Sequence, residues 1–365
     1  MTRRLTPFFA VLLSLIGLSV VVPIHEVQAQ PDPQDDFRFK ELRKQLIDPN
    51  RQVSEEAARQ LAEIADLLHN SVPFLVMALE SRSPRVRAQA AKTLATIGPR
   101  ADGAITALVR AIPKEKDDAA LRRMIGALGA IAPGTKTRIY IDKALATIAP
   151  FTKHKEVVIR RQAVSSLGAF KQDAKIAVPT LLEALSDPDP GAPPGIVSVS
   201  IRAMLSLQDI GPDAKAAANA LFKLLDSSDH DKKSYAMGTL VKIAPNDKRL
   251  APALIKAMGE QNSLRIRFSA AGCLVVLESE AKAAVPELIK ALKVYDLNNA
   301  HAAKMLRHNA VRALGAIGPA AKGALAEIRR VADSDPDRTV RREAEKVVGL
   351  FDSPNVNRYL TTQNL

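Results

Sequence analysis

The chain has 365 residues, of which 47% are hydrophobic but only 4% aromatic, and its formal net charge is +13. With a single cysteine, Cys273, the chain can form neither an intramolecular disulfide nor a thiolate metal cluster. Ala, Leu, Ile and Val supply most of the apolar surface, a mix that favours closely packed helices over sheets. The positive excess favours acidic partners, although a solvated surface alone also accounts for it.

The first 29 residues have the pattern of a secretory signal peptide. Arg3 and Arg4 precede an uncharged, mostly apolar stretch over residues 8–22. Val27 and Ala29 occupy the usual −3 and −1 positions of a cleavage site. The apolar stretch is shorter than the roughly 20 residues that a membrane-spanning helix needs. We therefore expect cleavage after Ala29 and an exported bacterial protein, periplasmic or extracellular, while retention of the signal as an anchor stays open.

The remaining chain divides into three regions. Residues 30–36 contain two prolines and three aspartates and are predicted to form a short linker. Residues 37–351 hold a recurring pattern of helix pairs, which we describe next. Residues 352–365 are polar, have no apolar stripe and are predicted to form a flexible C-terminal tail.

A phrase of the form Val-Pro-x-Leu-x-x-Ala-Leu begins at Val72, Val178 and Val285, and a weaker copy begins at Ala251. Proline is tolerated at the first helical position because its missing N–H would be unpaired there in any case. The apolar residues that follow recur at helical spacing. Each copy therefore predicts a short helix, which we term helix A.

A second phrase follows each helix A and predicts a second helix, which we term helix B. Its clearest copy runs over residues 84–99. Apolar residues recur in it at spacings of four, four and three: Val86, Ala90, Leu94 and Ile97. Gly98 is expected to supply a left-handed cap, and Pro99 to block continuation of the helix.

Alignment of the helix B phrases on Arg87 gives a column of nine positions: Ser54, Arg87, Leu121, Arg160, Ser200, Lys233, Arg267, Arg307 and Arg341. The intervals are 33 or 34 residues, except for one of 39 and two of 40. These three imply insertions of about six residues, within 134–155, 187–196 and 296–303. The repeat predicts an all-α fold, a right-handed α-solenoid of about nine helix pairs in which each pair packs on the next.

Together the two phrases resemble HEAT repeats, specifically the short HEAT-like repeats of phycobilisome lyase subunits. The resemblance covers nearly all of the chain after the signal, and it implies a HEAT- or armadillo-like superhelix with B helices on the concave face. It also implies an Asp in the A-to-B turn, six residues before the column arginine, but only Asp335 before Arg341 fits. The Asp–Arg ladder of the family is thus expected to be incomplete. The column arginines would then serve as exposed charges or cap neighbouring carbonyls.

The sequence has none of the common catalytic motifs: no P-loop, no G-x-G-x-x-G, no HExxH and no CxxC. Deoxyhypusine hydroxylase is an enzyme with HEAT-like repeats, but its His-Glu iron ligands are matched only by His25-Glu26 in the signal. His301 and His308 are interpreted as a surface pair rather than a metal site, and Cys273 as a small core residue. We therefore expect no cofactor and no enzyme activity.

Three functions remain as hypotheses. The first is a non-catalytic exported scaffold that binds a protein partner through the concave face of the solenoid. The alternative is a salt-sensitive binder of polyanions or of an anionic membrane surface. The third is an accessory subunit of an enzyme. The low aromatic content argues against single-stranded nucleic acid, and a monomer is expected.

The candidate partner-binding residues are basic side chains on the B helices: Arg85, Lys92, Arg122, Arg123, Arg161, Arg312 and Lys346. The consecutive arginines Arg122-Arg123 and Arg160-Arg161 are interpreted as lying on the helix surface. In the row five positions after the column, basic residues at both ends flank small ones: Gly126, Ser165, Gly238 and Gly272. This row predicts either a groove with basic rims or close packing between helices.

Overall fold

The structure, a computed structural model, describes residues 72–189 and 197–353, together with isolated positions between 41 and 60. By its contacts the chain divides into two units, residues 1–41 and 42–365, and every helix given below belongs to the second. The predicted signal peptide and linker, most of the first helix pair and the tail beyond Ser353 lie outside the described residues.

Sixteen α-helices lie in residues 72–189 and 197–353, and they alternate between A and B helices. The A helices are α1 (Val72–Ala78), α3 (Ile105–Ala111), α5 (Arg138–Ile148), α7 (Val178–Ala184), α9 (Ala218–Leu224), α11 (Leu250–Met258), α13 (Val285–Ala291) and α15 (Leu325–Ser334). The B helices are α2 (Pro84–Ile97), α4 (Asp118–Ile131), α6 (Val157–Gly168), α8 (Val199–Ile210), α10 (His230–Ile243), α12 (Leu264–Leu277), α14 (Ala300–Ile317) and α16 (Arg338–Asp352). No strand occurs in these ranges, so the predicted all-α fold is confirmed over eight helix pairs. Within the same ranges, no helix combines the length and apolarity needed to span a membrane.

Side-chain caps define where many of the B helices begin. An oxygen of the residue before the helix accepts a backbone N–H of the first turn, which would otherwise lack a partner. The residues that cap in this way are Asp117, Ser198, Asp229, Ser263 and Asp337. The A helices instead often carry proline in their first turn, as Pro179 and Pro286 do. Local sequence thus sets the start of both helix types.

Glycine with a positive φ ends several B helices. Gly98, Gly211 and Gly318 have φ angles of +65°, +75° and +69°, which glycine adopts without steric strain. The α-helix ends before Gly98 and Pro99, as expected, and the chain continues as a 3-10 turn, Gly98–Ala104. Proline begins this new turn, where its missing N–H does no harm. Each 3-10 turn leads directly into the next A helix.

The three predicted insertions are accommodated in different ways. The first lengthens α5 to eleven residues and is followed by the 3-10 turn Ala149–Lys153. The second precedes α8, and most of it, residues 190–196, lies outside the described residues. The third extends a helix, because α14 begins at Ala300 and has 18 residues. Residues 300–303, which were predicted to belong to a turn, therefore form the first turn of α14.

The core lies between successive pairs and within each pair. Of the stripe predicted on α2, Val86, Ala90 and Leu94 are buried, while Ile97 is half-buried. Contacts between neighbouring B helices are far more extensive than those between neighbouring A helices. The B layer is therefore the more tightly packed of the two, as expected for the inner side of a curved stack.

A row of close contacts, which we term the B-helix seam, joins successive B helices. On one helix the seam residue lies eight positions after the column position, and on the next helix its partner lies six positions after the column position. The pairs are Gly129 with Ser166, Gly168 with Ser206, Gln208 with Thr239, and Gly315 with Val347. A Cβ atom at Gly129 would lie 2.6 Å from Cβ of Ser166, and one at Gly168 would lie 2.7 Å from Cβ of Ser206. These distances are too short for any side chain, so glycine allows the backbones to approach.

Hydroxyl groups in the seam also bond the neighbouring helix. Ser166 Oγ donates to the carbonyl oxygen of Ile125 at 3.2 Å, and Ser206 Oγ donates to that of Val164 at 3.0 Å. Cys273 occupies the equivalent position on α12. Burial raises the pKa of its thiol to about 12, so the thiol stays protonated at neutral pH, in agreement with its interpretation as a small packing residue.

Substitution of Gly129 tests the seam. Gly129→Ala should destabilise the protein by about 1–3 kcal/mol, because the added methyl group would overlap Ser166 and push α4 and α6 apart. Gly349→Ala is the matched control, since Gly349 holds the same register position on the last B helix and a Cβ there meets nothing within 4 Å. We expect this control to be neutral or to stabilise by up to about 1 kcal/mol through helix propensity. Thermal unfolding monitored by circular dichroism compares the two, and equal effects would contradict the seam.

Candidate protein-binding face

The exposed side of the B helices forms one continuous surface, which we term the B face. On each B helix it consists of four residues, which are numbered from the column position. One lies two positions before the column position, and the others lie two, five and nine positions after it. These four positions fall within about 60° around a helix of 3.6 residues per turn. Because each B helix packs beside the next, the rows line up from α2 to α16.

Basic residues outnumber acidic ones on the B face. Its charged members are Arg85, Lys92, Arg123, Arg202, Asp209, Asp231, Lys242, Arg265, Arg312, Glu343 and Lys346. Two of the acids are engaged locally: Asp231 pairs with Arg265, and Glu343 pairs with Lys346 at 3.3 Å. Arg202 donates to Ser165 Oγ at 2.9 Å.

Four cations of the B face have no hydrogen-bond or ion-pair partner for their side chains among the described residues: Lys92, Arg123, Lys242 and Arg312. Each is exposed or lies on the exposed side of its helix. Asp209, an acid of the B face, likewise has no hydrogen-bond or ion-pair partner for its side chain within the described ranges. Free positive charge is therefore spread along the whole B face.

Apolar side chains interrupt the charges. Val158 on α6, Leu205 on α8 and Val276 on α12 are 45%, 37% and 55% exposed. Small residues occupy other positions of the B face, including Ala169 and Gly238. The B face is thus chemically mixed. Apolar side chains lie between separated cations, so the face is not one continuous basic stripe.

Two glycines in the row five positions after the column fit the interpretation of close packing between helices. A Cβ at Gly126 would lie 3.2 Å from Nε2 of Gln162, and one at Gly272 would lie 3.2 Å from Nδ2 of Asn309. Close packing therefore explains these two glycines. At Gly238 the nearest atom, Nε2 of Gln208, would lie 3.9 Å from a Cβ, which is an ordinary contact distance, so packing does not require glycine there.

The predicted binding residues do not form one site. Lys92 and Arg123 lie on the neighbouring helices α2 and α4, while Arg312 and Lys346 lie on α14 and α16 near the other end. Arg85 is exposed on the B face as well. The remaining two lie elsewhere: Arg122 is half-buried beside the B face, and Arg161 is buried.

The repeats match known families. A model described as HEAT repeats matches residues 39–129, and a model described as PBS lyase HEAT-like repeat matches residues 159–187. The chain therefore contains HEAT repeats. The repeat at residues 159–187 is of the phycobilisome-lyase type, as the resemblance of the two phrases implied. Among the curated proteins none matches this chain.

Solved structures share the HEAT solenoid fold at low sequence identity. An engineered protein has a TM-score of 0.50 at 21% identity, over 87% of this chain and 99% of its own. Kap95p, in a structure with RanGDP, has a TM-score of 0.63 at 14% identity, over 87% of this chain and 46% of its own. Kap121p bound to Nup53p has a TM-score of 0.54 at 15% identity, over 88% of this chain and 42% of its own. This chain thus spans less than half the length of these two Kap proteins, and the likeness concerns the fold.

The column arginines of the HEAT repeats clamp the turns instead of forming an exposed row. Nη1 of Arg87 donates to the carbonyl oxygens of Ser81 and Arg82 at 2.8 and 3.1 Å. Nη1 of Arg160 does the same to His154 and Lys155 at 3.0 Å. Each guanidinium therefore caps the A-to-B turn of its own repeat, which is one of the two roles expected for the column.

The acid that pairs with a column arginine comes from the following HEAT repeat. Arg87 holds Glu115 through Nε and Nη2 at 2.7 and 2.6 Å. Arg160 holds Asp187 at 2.7 and 3.0 Å in the same two-pronged way. Burial opposes ionisation of Glu115, but hydrogen bonds from Arg87 and from backbone N–H groups prevail and lower its pKa. The ladder thus runs between repeats, over 27 or 28 positions, and not within one.

Asp335 shows most clearly that the ion pairs join successive repeats and do not lie within one repeat. It was the one acid that fitted the six-residue rule before Arg341. Its carboxylate instead accepts from Nε and Nη2 of Arg307 at 2.6 and 3.1 Å, and both side chains are almost fully buried. Nη1 of Arg341 donates to the backbone carbonyl oxygens of Asp335 and Pro336, at 2.6 and 3.2 Å, and not to the carboxylate of Asp335. The pairing of Asp335 with the arginine of its own repeat is therefore wrong.

The surface placement predicted for Arg161 is also wrong. Its Nε and Nη2 atoms both donate to Asp189 at 2.7 Å, and the two side chains are buried. Asp189 also accepts from the backbone N–H of Val199 at 2.9 Å. Arg161 therefore anchors the turn before α8, because burial of its charge requires a fixed counter-charge. It is not available to a partner.

The buried pair between Arg307 and Asp335 should support the last two HEAT repeats. Asp335→Asn keeps the shape of the side chain but removes the counter-charge of a buried guanidinium, which costs about 3–5 kcal/mol. Asp352→Asn is the control, since the pair of Asp352 with Arg329 is about half exposed (48% and 52%) and should contribute at most about 1 kcal/mol. Hydrogen exchange of α14 and α16 measures the effect. Equal protection in both variants would contradict a structural role for the buried pair.

Proposed function

We propose that this protein is an exported, non-catalytic scaffold that binds a protein partner on its B face. The observation that carries the proposal is the mixed character of this face, where exposed Val158, Leu205 and Val276 lie between cations that have no partner among the described residues. Protein interfaces combine apolar anchors with surrounding polar groups in this way. Solenoids provide the extended surface that such binding uses.

The comparisons support binding to protein in general terms. Kap95p and Kap121p, which share the fold, were solved with RanGDP and with Nup53p respectively. The absence of catalytic motifs from the sequence favours binding over catalysis. A turnover activity found in the purified protein would overturn the non-catalytic part of the proposal.

A polyanion or an anionic membrane surface is the second candidate. The observation that favours it is the free charge of Lys92, Arg123, Lys242 and Arg312. Contacts to several phosphates would make binding fall steeply with salt, by orders of magnitude over a few-fold increase in concentration. Apolar contacts on the B face would instead make binding to a protein less sensitive to salt.

An exposed leucine at the centre of the B face tests the proposal. Leu205→Glu should reduce recovery of the partner from the native cell envelope at least about tenfold, because a charge would replace an apolar anchor. Ile176→Glu is the control, since Ile176 is also an exposed aliphatic residue (57%) but lies in a 3-10 turn away from the B face. The measurement is affinity capture with quantitative mass spectrometry. Equal recovery with both variants would refute the B face as the binding surface.

Export has its own test. The signal pattern predicts that the mature protein begins at Gln30. Intact mass and N-terminal sequencing of the protein from fractionated cells should show this terminus in the periplasmic or extracellular fraction. A chain that keeps residues 1–29 and stays in the cytoplasm would overturn the export part of the proposal.

A further inference from the structure

An open groove of about 640 Å³ lies in the A layer, between α3 and α5. All of its walls come from these two A helices and the 3-10 turns that follow them. The two A helices that line the groove differ in length. α5 has eleven residues and a five-residue 3-10 turn, whereas α3 has seven residues and a three-residue turn. The first insertion of the repeat array thus forms one wall of the groove.

The floor and walls of the groove are apolar. Val109 contributes from α3, Tyr140 and Ala146 from α5, and Phe151 from the turn after α5. Val109, Tyr140 and Phe151 are each half-buried, so part of their apolar surface stays in water. The volume is in the range of sites that bury small ligands or a few side chains.

The charged residues that line the groove are both basic. Arg110 and Lys143 are exposed, and neither side chain has a hydrogen-bond or ion-pair partner in the described part of the chain. Asp142, the acid next to Lys143 in sequence, is engaged by Arg138 at 2.9 Å. An occupant that suits both the walls and the rim therefore has an apolar group next to a negative charge.

We propose that this groove binds a short protein segment in which an aromatic or aliphatic side chain adjoins an aspartate or glutamate. The apolar side chain packs against Val109, Tyr140 and Phe151, and the carboxylate lies at the rim between Arg110 and Lys143. Carboxylates bind guanidinium and ammonium groups through charge-assisted hydrogen bonds. The surface belongs to the A layer, so it is separate from the B face and gives the protein a second point of attachment.

Selection from a displayed library of random linear peptides on the full-length mature protein tests the proposal. Enriched peptides should converge on an aromatic or aliphatic residue beside Asp or Glu. One enriched peptide, labelled with a fluorophore, then gives dissociation constants by anisotropy. Ala146→Arg places a bulky cation in the groove at an exposed helical position and should weaken binding at least about tenfold. Arg110→Ser should weaken it about two- to fivefold, as loss of an exposed ion pair predicts.

Ala326→Arg is the matched control, because Ala326 is an exposed alanine on another A helix, α15. It adds the same side chain and charge and should leave the dissociation constant unchanged, with both variants melting like the parent. Three results would overturn the proposal: no enriched peptide, enriched peptides that bind the Ala146→Arg variant equally well, or dependence on Ala146 only for vesicles of phosphatidylglycerol. The last result would assign the groove to lipid.

Discussion

The close approach of successive B helices is the contact on which the rest of this protein depends. In the B-helix seam, glycine faces serine or valine at distances that no Cβ atom would permit, and hydroxyl groups bond to backbone carbonyls of the neighbouring helix. Small residues let dispersion contacts form along the helix backbones, where the packing density of an interior is reached without large side chains. The low aromatic content of the chain agrees with this close packing of small residues.

Charge reinforces the same stacking at the edge of the repeats. Each bidentate arginine ties the turn of its own repeat to an acid in the turn of the next, as Arg87 does with Glu115 and Arg160 with Asp187. A buried ion pair adds little net stability over an apolar contact, but loss of one partner is costly. These pairs therefore act mainly to define the position of each repeat relative to its neighbour. The register of the stack is held by apolar packing in the seam and by ion pairs at the turns.

The stack leaves two surfaces whose chemistry differs. The B face is long and mixed, with free cations at intervals, whereas the groove between α3 and α5 is local, apolar and rimmed by two cations. Both would suit acidic partners with apolar side chains, and two separate attachments can raise overall affinity well above that of either one. A solenoid can provide both because its A and B layers are exposed on opposite sides of one core.

Local signals in the sequence were sufficient for the helix pairs and their ends. The Val-Pro phrase and the apolar stripes depend on spacing within one helix, so alternation of A and B helices, the glycine caps and the burial of Leu94 followed from them. Spacing within one helix does not determine which side chains contact each other across repeats. Asp335 therefore pairs with Arg307 and not Arg341, Arg161 is buried by Asp189 instead of being exposed, and the predicted basic residues separate into two distant groups. Those outcomes depend on the distance and angle between neighbouring helices, which only packing in three dimensions decides.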